Sequence, residues 1–241
     1  MAAVTKIEGL GGDGDTATSE LGPVIHEVVY NRLREALIAG RLPPGRALSV
    51  RGLAAEFDVS AMPAREAIRR LAALGALEFT DTRRVMIAKM TGEKLGEIKD
   101  ARLALEPILA ERAAIAMSEQ ARAKRQLLTQ LERIDSDLDG AIRGGDADDY
   151  SKFNSEFHFS LYKAANASVL LGMVEGLWMR FGPFMRVVIG RLGTSCLMDD
   201  HHKKIVHALE ENDIPALKAA VHNDILQGMD NIRVADFSAA P

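Results

Sequence analysis

The sequence predicts a mainly α chain: three short helices and a two-stranded wing at the N-terminus, then an antiparallel all-α helical bundle. Three observations carry this. Short amphipathic segments, each closed by a glycine or tight turn, precede two β-type runs before Met90. After Thr91 the chain changes to long Ala/Leu-rich segments with helical periodicity and no convincing strand. Charge divides at the same place. Val24 to Lys89 carries 11 Lys/Arg against 7 Asp/Glu, a net of +4, while the remainder carries 19 against 27, a net of −8. A basic module beside an acidic one is expected where only one of them meets phosphate.

The elements follow in order. Residues 1–23 are rich in Gly, Asp and Thr without periodicity and are predicted to be a disordered tail. Residues 24–90 form the first domain. Its first helix, His26 to Ala39, carries the stripe Val29, Leu33, Leu37 and ends at Gly40. The stretch GRLPPGRAL reads as a rigid turn. Ser49 is placed to cap a short helix through Phe57, Asp58-Val59 is a tight connection, and Ser60 is placed to cap a third helix reaching Ala73. Gly75 ends it. Leu77–Thr80 and Val85–Ile87 are the strands, around the polar turn Asp81–Arg83. Residues 91–235 are the helical domain, with Thr91 as N-cap, and 236–241 a tail. Breaks near Ser118, at Arg143–Asp146, at Asn166, at Gly193-Thr194 and at Asn212–Pro215 divide it into about six helices, one kinked or split by Pro183. Short turns fold such helices back as an antiparallel bundle.

The 241 residues are 47% hydrophobic and 27% charged, ordinary for a soluble protein long enough for two modest cores. No apolar run approaches the roughly 18–20 residues that span a bilayer, and the N-terminus lacks the basic start and apolar segment of a signal peptide. Cys196 is the lone cysteine, so neither an internal disulfide nor a thiolate cluster is available. A cytoplasmic protein without a membrane partner is predicted.

Three helices and a wing make the winged helix-turn-helix plan, whose third helix enters the major groove of double-stranded DNA. Helical spacing buries Ala64, Ala67, Ile68 and Leu71 and turns Ala61, Arg65 and Arg69 outward. The arginine fork can hold guanine O6 and N7 or clamp a phosphate. Ser60 and Met62, near the helix start, are placed to touch backbone and base edges.

The stretch GRLPPGRALSVRGLAAEFDVSAMPAREAIRRLAALGALE resembles the signature of the GntR family of bacterial regulators, in its Pro-Pro-Gly turn, its VS-x-x-P-x-R-E-A helix start and its Arg-Arg-Leu…Gly-x-Leu exit. The resemblance implies that Arg51, Arg65 and Arg69 contact DNA. Two positions depart from it. Ala61 stands where many members have an arginine that reads base edges. Arg84 stands where many have a wing-tip glycine, and its side chain is expected in the minor groove.

In the helical domain, polar residues fall where apolar ones belong. Asn154 and His158 lie within the arc Phe153, Phe157, Leu161, Ala165. On a helix from about Leu197 to Leu209, His202 lies in the middle of the arc Met198, Ile205, Val206, Leu209, with His201 at its margin and His207 outward. Asp224 lies among Leu217, Val221, Ile225 and Ile232, with His222 outside, and Arg102 among Leu95, Ile98, Leu105 and Leu109. An isolated buried charge costs several kcal/mol unless paired or metal-bound. Two outcomes stay open: a ligand or metal site, or mutual satisfaction through an Arg102–Asp224 or Arg102–Glu106 pair with hydrogen-bonded histidines.

Asp100–Glu106, Phe157-His158…Ala165-Asn166 and His202-x-x-Ile205…Asp213 resemble the FCD ligand-sensing domain of FadR-type GntR regulators. Many such domains hold a divalent metal with one Asp and three His, the ligand's carboxylate completing the shell beside an arginine. Here the Asp position is Asn154 and the His positions are His158, His202 and Asp224, a departure that keeps the formal charge at −1. Zinc, nickel or manganese suits this mixture without one being selected. The implied effector is a small organic acid held by Arg102, Asn154, His158 and His202. The implied assembly is a homodimer, usually a repressor, on a two-fold operator. Two rivals are a sensor whose effector is the metal itself and a helical-bundle metalloenzyme. The latter needs Glu-x-x-His motifs, and the chain has none.

Overall fold

The computed structural model describes residues 25–42, 44, 47–56, 58–80, 84–185, 200–230 and 232. The expected tails, the turn Asp81–Arg83, the break at Gly193-Thr194 and residues Cys196, Leu197 and Met198 lie outside the described residues. The architecture is the expected one, a winged helix-turn-helix followed by an all-helical bundle.

Helix α1 (Ile25–Ile38) buries Val29, Leu33 and Leu37 and ends two residues before Gly40, whose φ of 66° lies in the left-handed region that glycine adopts without cost. The Ser49 hydroxyl accepts the Gly52 N–H at 2.9 Å and starts α2 (Val50–Glu56). Asp58, at φ 51°, makes the sharp connection to α3 (Ala61–Ala73). Ser60 occupies the N-cap of α3, but its side chain makes no capping hydrogen bond, contrary to the sequence expectation. The third helical residue is Pro63, which has no N–H to donate. Gly75, at φ 71°, turns the chain out of α3.

Strands β2 (Leu77–Phe79) and β3 (Val85–Ile87) pair antiparallel, with Leu77 opposite Ile87 and Phe79 opposite Val85. A third strand, β1 (Ala47–Leu48), joins the far edge of β3 in the order β1-β3-β2. It falls in the segment read as a rigid turn, and two residues are too few to register an alternation.

The bundle starts where the Thr91 hydroxyl accepts the Lys94 N–H, opening α4 (Gly92–Ser118). Helix α5 (Ala121–Gly144) ends on Gly145 at φ 67°. Helix α6 (Ala147–Lys163) is capped by Asp146, whose carboxylate accepts two backbone N–H groups. Helix α7 (Ser168–Phe181) gives way at Pro183 to a 3₁₀ turn, Gly182–Phe184. Helices α8 (His201–Glu211) and α9 (Ile214–Asp230) are separated by Asn212 at φ 56°. Among the described residues these six α-helices match the expected number. Helix α5 packs on α6, α9 on α4 and α8, and α7 between α4 and α1. Leu109, Leu131, Ile134, Phe157, Leu161, Tyr162 and Trp178 are fully buried at the centre. Each large apolar side chain so buried contributes roughly 1.5–3 kcal/mol. Among the described residues no helix is long and apolar enough to cross a membrane.

The joint between the two parts is tight. Gly182 lies against the end of α1, where a β-carbon on it would meet the Leu37 and Ile38 carbonyl oxygens at 2.4 and 2.5 Å. Arg34 of α1 pairs with Glu175 of α7 at 3.1 Å, and the Arg180 Nε donates to the Leu74 carbonyl at 2.9 Å.

Candidate functional site

Three helices bring one ligand atom each to a common point. His158 comes from α6, His202 from α8 and Asp224 from α9. The His158 Nε2 is 3.1 Å from one Asp224 oxygen, the His202 Nε2 is 3.6 Å from the other, and the two Nε2 atoms are 3.4 Å apart. Donors held at 2.0–2.1 Å from a tetrahedral ion are separated by about 3.3 Å. The cluster therefore has the spacing and the chemistry of a divalent-metal site. His158 and His202 are buried, and the Asp224 side chain keeps 21% of its surface exposed. Asn154 is buried one helical turn before His158. Phe157 stacks on the His202 ring at 4.1 Å and fixes its plane.

Behind His158 lies a chain of hydrogen bonds that decides its tautomer. The Tyr162 hydroxyl donates its proton to Glu106 Oε2 at 2.8 Å, so at 3.1 Å from the His158 Nδ1 it can only accept. His158 thus carries a proton on Nδ1, which turns Nε2 toward the cluster, where it can donate to Asp224 when protonated or offer its lone pair to an ion, the outer-shell support that a metal-binding imidazole needs. Glu106 is filled on both oxygens. Oε1 accepts from Arg102 Nε at 2.6 Å and Trp178 Nε1 at 2.9 Å, while Oε2 accepts from Arg102 Nη2 at 3.2 Å as well as from Tyr162. The Arg102 guanidinium also stacks over the Trp178 and Phe181 rings at 4.5 and 4.7 Å. Of the pairings left open by the sequence, Arg102–Glu106 is the one formed. Arg102, expected at a ligand carboxylate, spends its fork on Glu106 and its Nη1 on the Met229 sulfur.

The charges reinforce one another. Burial pushes His202 down, but Asp224, together with the hydrogen bond and charge of Asp135 and the charge of Asp200, outweighs it and holds the imidazole above its ordinary value of 6.5. Burial pushes Asp224 up, but the charges of His202 and His158, the His158 hydrogen bond and Arg102 outweigh it and hold the carboxylate well below its ordinary range. The raised His202 stabilises the fold below its ordinary value and loses that contribution as pH rises through its folded value. The depressed Asp224 contributes above its ordinary value and loses it as pH falls. Without metal, the two act together from about pH 4 to 6.5.

Sequence reasoning missed several supporting residues. Tyr162 stands one turn after His158, a readable spacing. Asp135 lies within the α5 stripe between Leu131 and Leu138, and its Oδ1 is 3.5 Å from the His202 Nδ1. Trp178 is the only tryptophan of the chain. His201, expected at the margin, is buried, whereas His207 and His222 are exposed as expected. A second acidic group, Asp135, Asp139 and Asp200, gathers around the Lys203 ammonium.

In the head, α3 buries Ala64, Ala67, Ile68 and Leu71 and leaves Ala61, Met62, Arg65 and Arg69 exposed. Arg51 on α2, Ser60 and Arg84 beside β3 are exposed too. Arg69 is held by Glu66 in a two-pronged pair at 3.0 and 2.9 Å. Arg65 has no such partner among the described residues.

Comparison with known proteins agrees with this plan. Residues 25–87 match the bacterial regulatory proteins of the gntR family, and residues 97–227 match the FCD domain. The chain is 29% identical over 207 residues to the gluconate operon transcriptional repressor of Bacillus licheniformis, covering 81% of each. It is 30% identical over 178 residues to the probable D-xylose utilization operon transcriptional repressor of Paenarthrobacter nicotinovorans, covering 72% of this chain and 74% of that one. The solved structure of Escherichia coli McbR/YncC superposes with a TM-score of 0.76 at 24% identity, over 87% of this chain and 97% of that one, a likeness of fold. The matched families are DNA-binding transcriptional regulators and not enzymes. The chain belongs to the FCD-containing GntR family of bacterial transcriptional regulators.

Proposed function

We propose that this regulator is a cytoplasmic repressor that binds a two-fold operator as a homodimer and responds to a small organic acid through a divalent metal in its bundle. The observation that carries the sensing half is the convergence of His158 Nε2, His202 Nε2 and the Asp224 carboxylate at metal-ligand spacing. Asn154, one turn before His158, would supply a fourth, weaker oxygen donor, and zinc, nickel and manganese all suit the set. The metal would supply Lewis acidity to hold the effector's carboxylate. Because Arg102 is spent on Glu106, its charge acts on the effector at a distance and becomes a direct partner only if Glu106 releases it.

The reading half rests on α3, with Arg65 and Arg69 on its outward face, Ser60 and Met62 at its start, Arg51 on α2 and Arg84 on the wing. A connected route joins the halves. Tyr162 and Glu106 link His158 to Trp178 on α7, and Arg180, two residues on, binds the carbonyl of Leu74 just past α3. A ligand that favours one head placement by about 1–3 kcal/mol shifts operator occupancy several-fold to a hundredfold.

Operator binding by the full chain, measured as fluorescence anisotropy on its own upstream region, tests the reading half. Arg65→Ala and Arg69→Ala are each expected to weaken binding by about 1–3 kcal/mol, roughly 5- to 150-fold. Arg69→Ala should fall at the lower end, since the free protein already pairs Arg69 with Glu66. Unchanged affinity in both variants would refute the α3 assignment.

A further inference from the structure

The joint between head and bundle holds a cleft of about 400 Å³ that the cluster in the bundle does not involve. Helix α1 forms one wall, and α5, α6 and α7 form the other. Its volume lies within the range of sites that enclose small molecules. Five cations line it, Arg34, Arg41, Arg133, Lys152 and Lys163, against three carboxylates. Glu175 and Arg34 pair with each other, and Arg133 pairs with Asp137 of its own helix at 3.5 Å, which leaves Arg41, Lys152 and Lys163 against Glu35 and Glu156.

Arg34 shows that the cleft lacks a partner. Its side chain is 28% exposed and gives Nη1 to Glu175, yet its Nε is buried with no hydrogen-bond acceptor among the described residues. A buried charged donor left unpaired is unfavourable, so the guanidinium is held weakly at this position, and its exposed edge is what an anion in the cleft would meet. The exposed side chains of Arg41 and Lys163 have no ion-pair partner among the described residues. Lys152 rests its ammonium over the Phe153 ring at 4.5 Å, a contact that leaves its charge uncancelled. The cations come from both halves of the molecule, so a ligand spanning them would tie head to bundle and compete with Glu175 for Arg34.

We propose that this cleft is a second ligand site, which takes a small molecule bearing two or more negative charges, of phosphate or carboxylate type. It is separate from the His158–His202–Asp224 cluster and does not depend on metal there. Isothermal titration of the full chain at physiological salt, with pyrophosphate and separately with citrate, tests it and distinguishes the two charge types. At least one probe is expected to bind. Arg41→Ala combined with Lys163→Ala should weaken that binding by about tenfold or more, each lost cation removing a charge-assisted contact. Both side chains are exposed, so the thermal midpoint of the probe-free variant should match the parent. His158→Ala combined with His202→Ala should bind the probe as tightly as the parent does. The proposal is overturned if neither probe binds, if the Arg41/Lys163 variant binds both as the parent does, or if the His158/His202 variant loses the binding.

Discussion

Glu106→Gln is expected to destabilise the protein by about 3–5 kcal/mol, the cost of leaving a buried charge without its counter-ion. Glu106 is fully buried, and its two oxygens satisfy four donors from Arg102, Tyr162 and Trp178. A glutamine of the same shape offers one oxygen, and its amide protons would face donors. With a domain's whole stability at about 5–15 kcal/mol, that loss is a large fraction of it. The sole tryptophan, Trp178, touches this carboxylate and reports its environment, so urea unfolding followed by tryptophan fluorescence measures the effect. Arg102→Met combined with Glu106→Gln should be less damaging than Glu106→Gln alone. It removes the uncompensated charge and leaves the amide oxygen to Trp178. A double variant as unstable as the two single losses added would show that Arg102 and Glu106 do not act as a pair.

Gly182→Ala should open the joint between head and bundle. The backbone there is ordinary helix, with φ −49° and ψ −42°, so the cost is steric and not conformational. The added methyl would sit 2.4 and 2.5 Å from the Leu37 and Ile38 carbonyl oxygens, which belong to backbone and cannot rotate away. Overpacking of this kind costs about 1–3 kcal/mol, sometimes more. The contact is reciprocal, since Gly40 faces the Gly182 carbonyl from the other side. The expected result is faster proteolytic separation of head from bundle and an operator affinity that no longer changes with effector. Cleavage and coupling equal to the parent's would mean that the two halves do not communicate through this joint.

The fold was legible because its signals are local. Gly40, Gly75 and Gly145 adopt the positive φ that a helix-ending glycine permits, and Ser49, Thr91 and Asp146 form the caps that their side chains allow. Ser60 failed as a cap because Pro63, two residues into the helix, withholds a donor, an effect visible in the sequence once the helix start is fixed. The inward faces of α6, α8 and α9 were readable from the helical period, which placed His158, His202 and Asp224 inside. Which of these polar residues meet was not readable, because periodicity gives the face of a helix and not its neighbours. Arg102 could have faced Asp224 or Glu106, and packing of α4 against α7 settled it by bringing Trp178 onto the same carboxylate. The two-residue strand β1 and the Gly40–Gly182 contact depend on pairing across the chain and left no local mark.

The metal content of protein purified without chelator, measured by elemental analysis after dialysis at about pH 8 and about pH 5.5, tests the sensing site most directly. Close to one divalent ion per chain is expected at the higher pH. That ion should be lost at the lower pH, where a proton competes for His202, and should be absent at both values in His158→Ala and His202→Ala. A parent protein without metal, or a metal content that neither acid nor those substitutions change, would contradict a metal held by His158, His202 and Asp224.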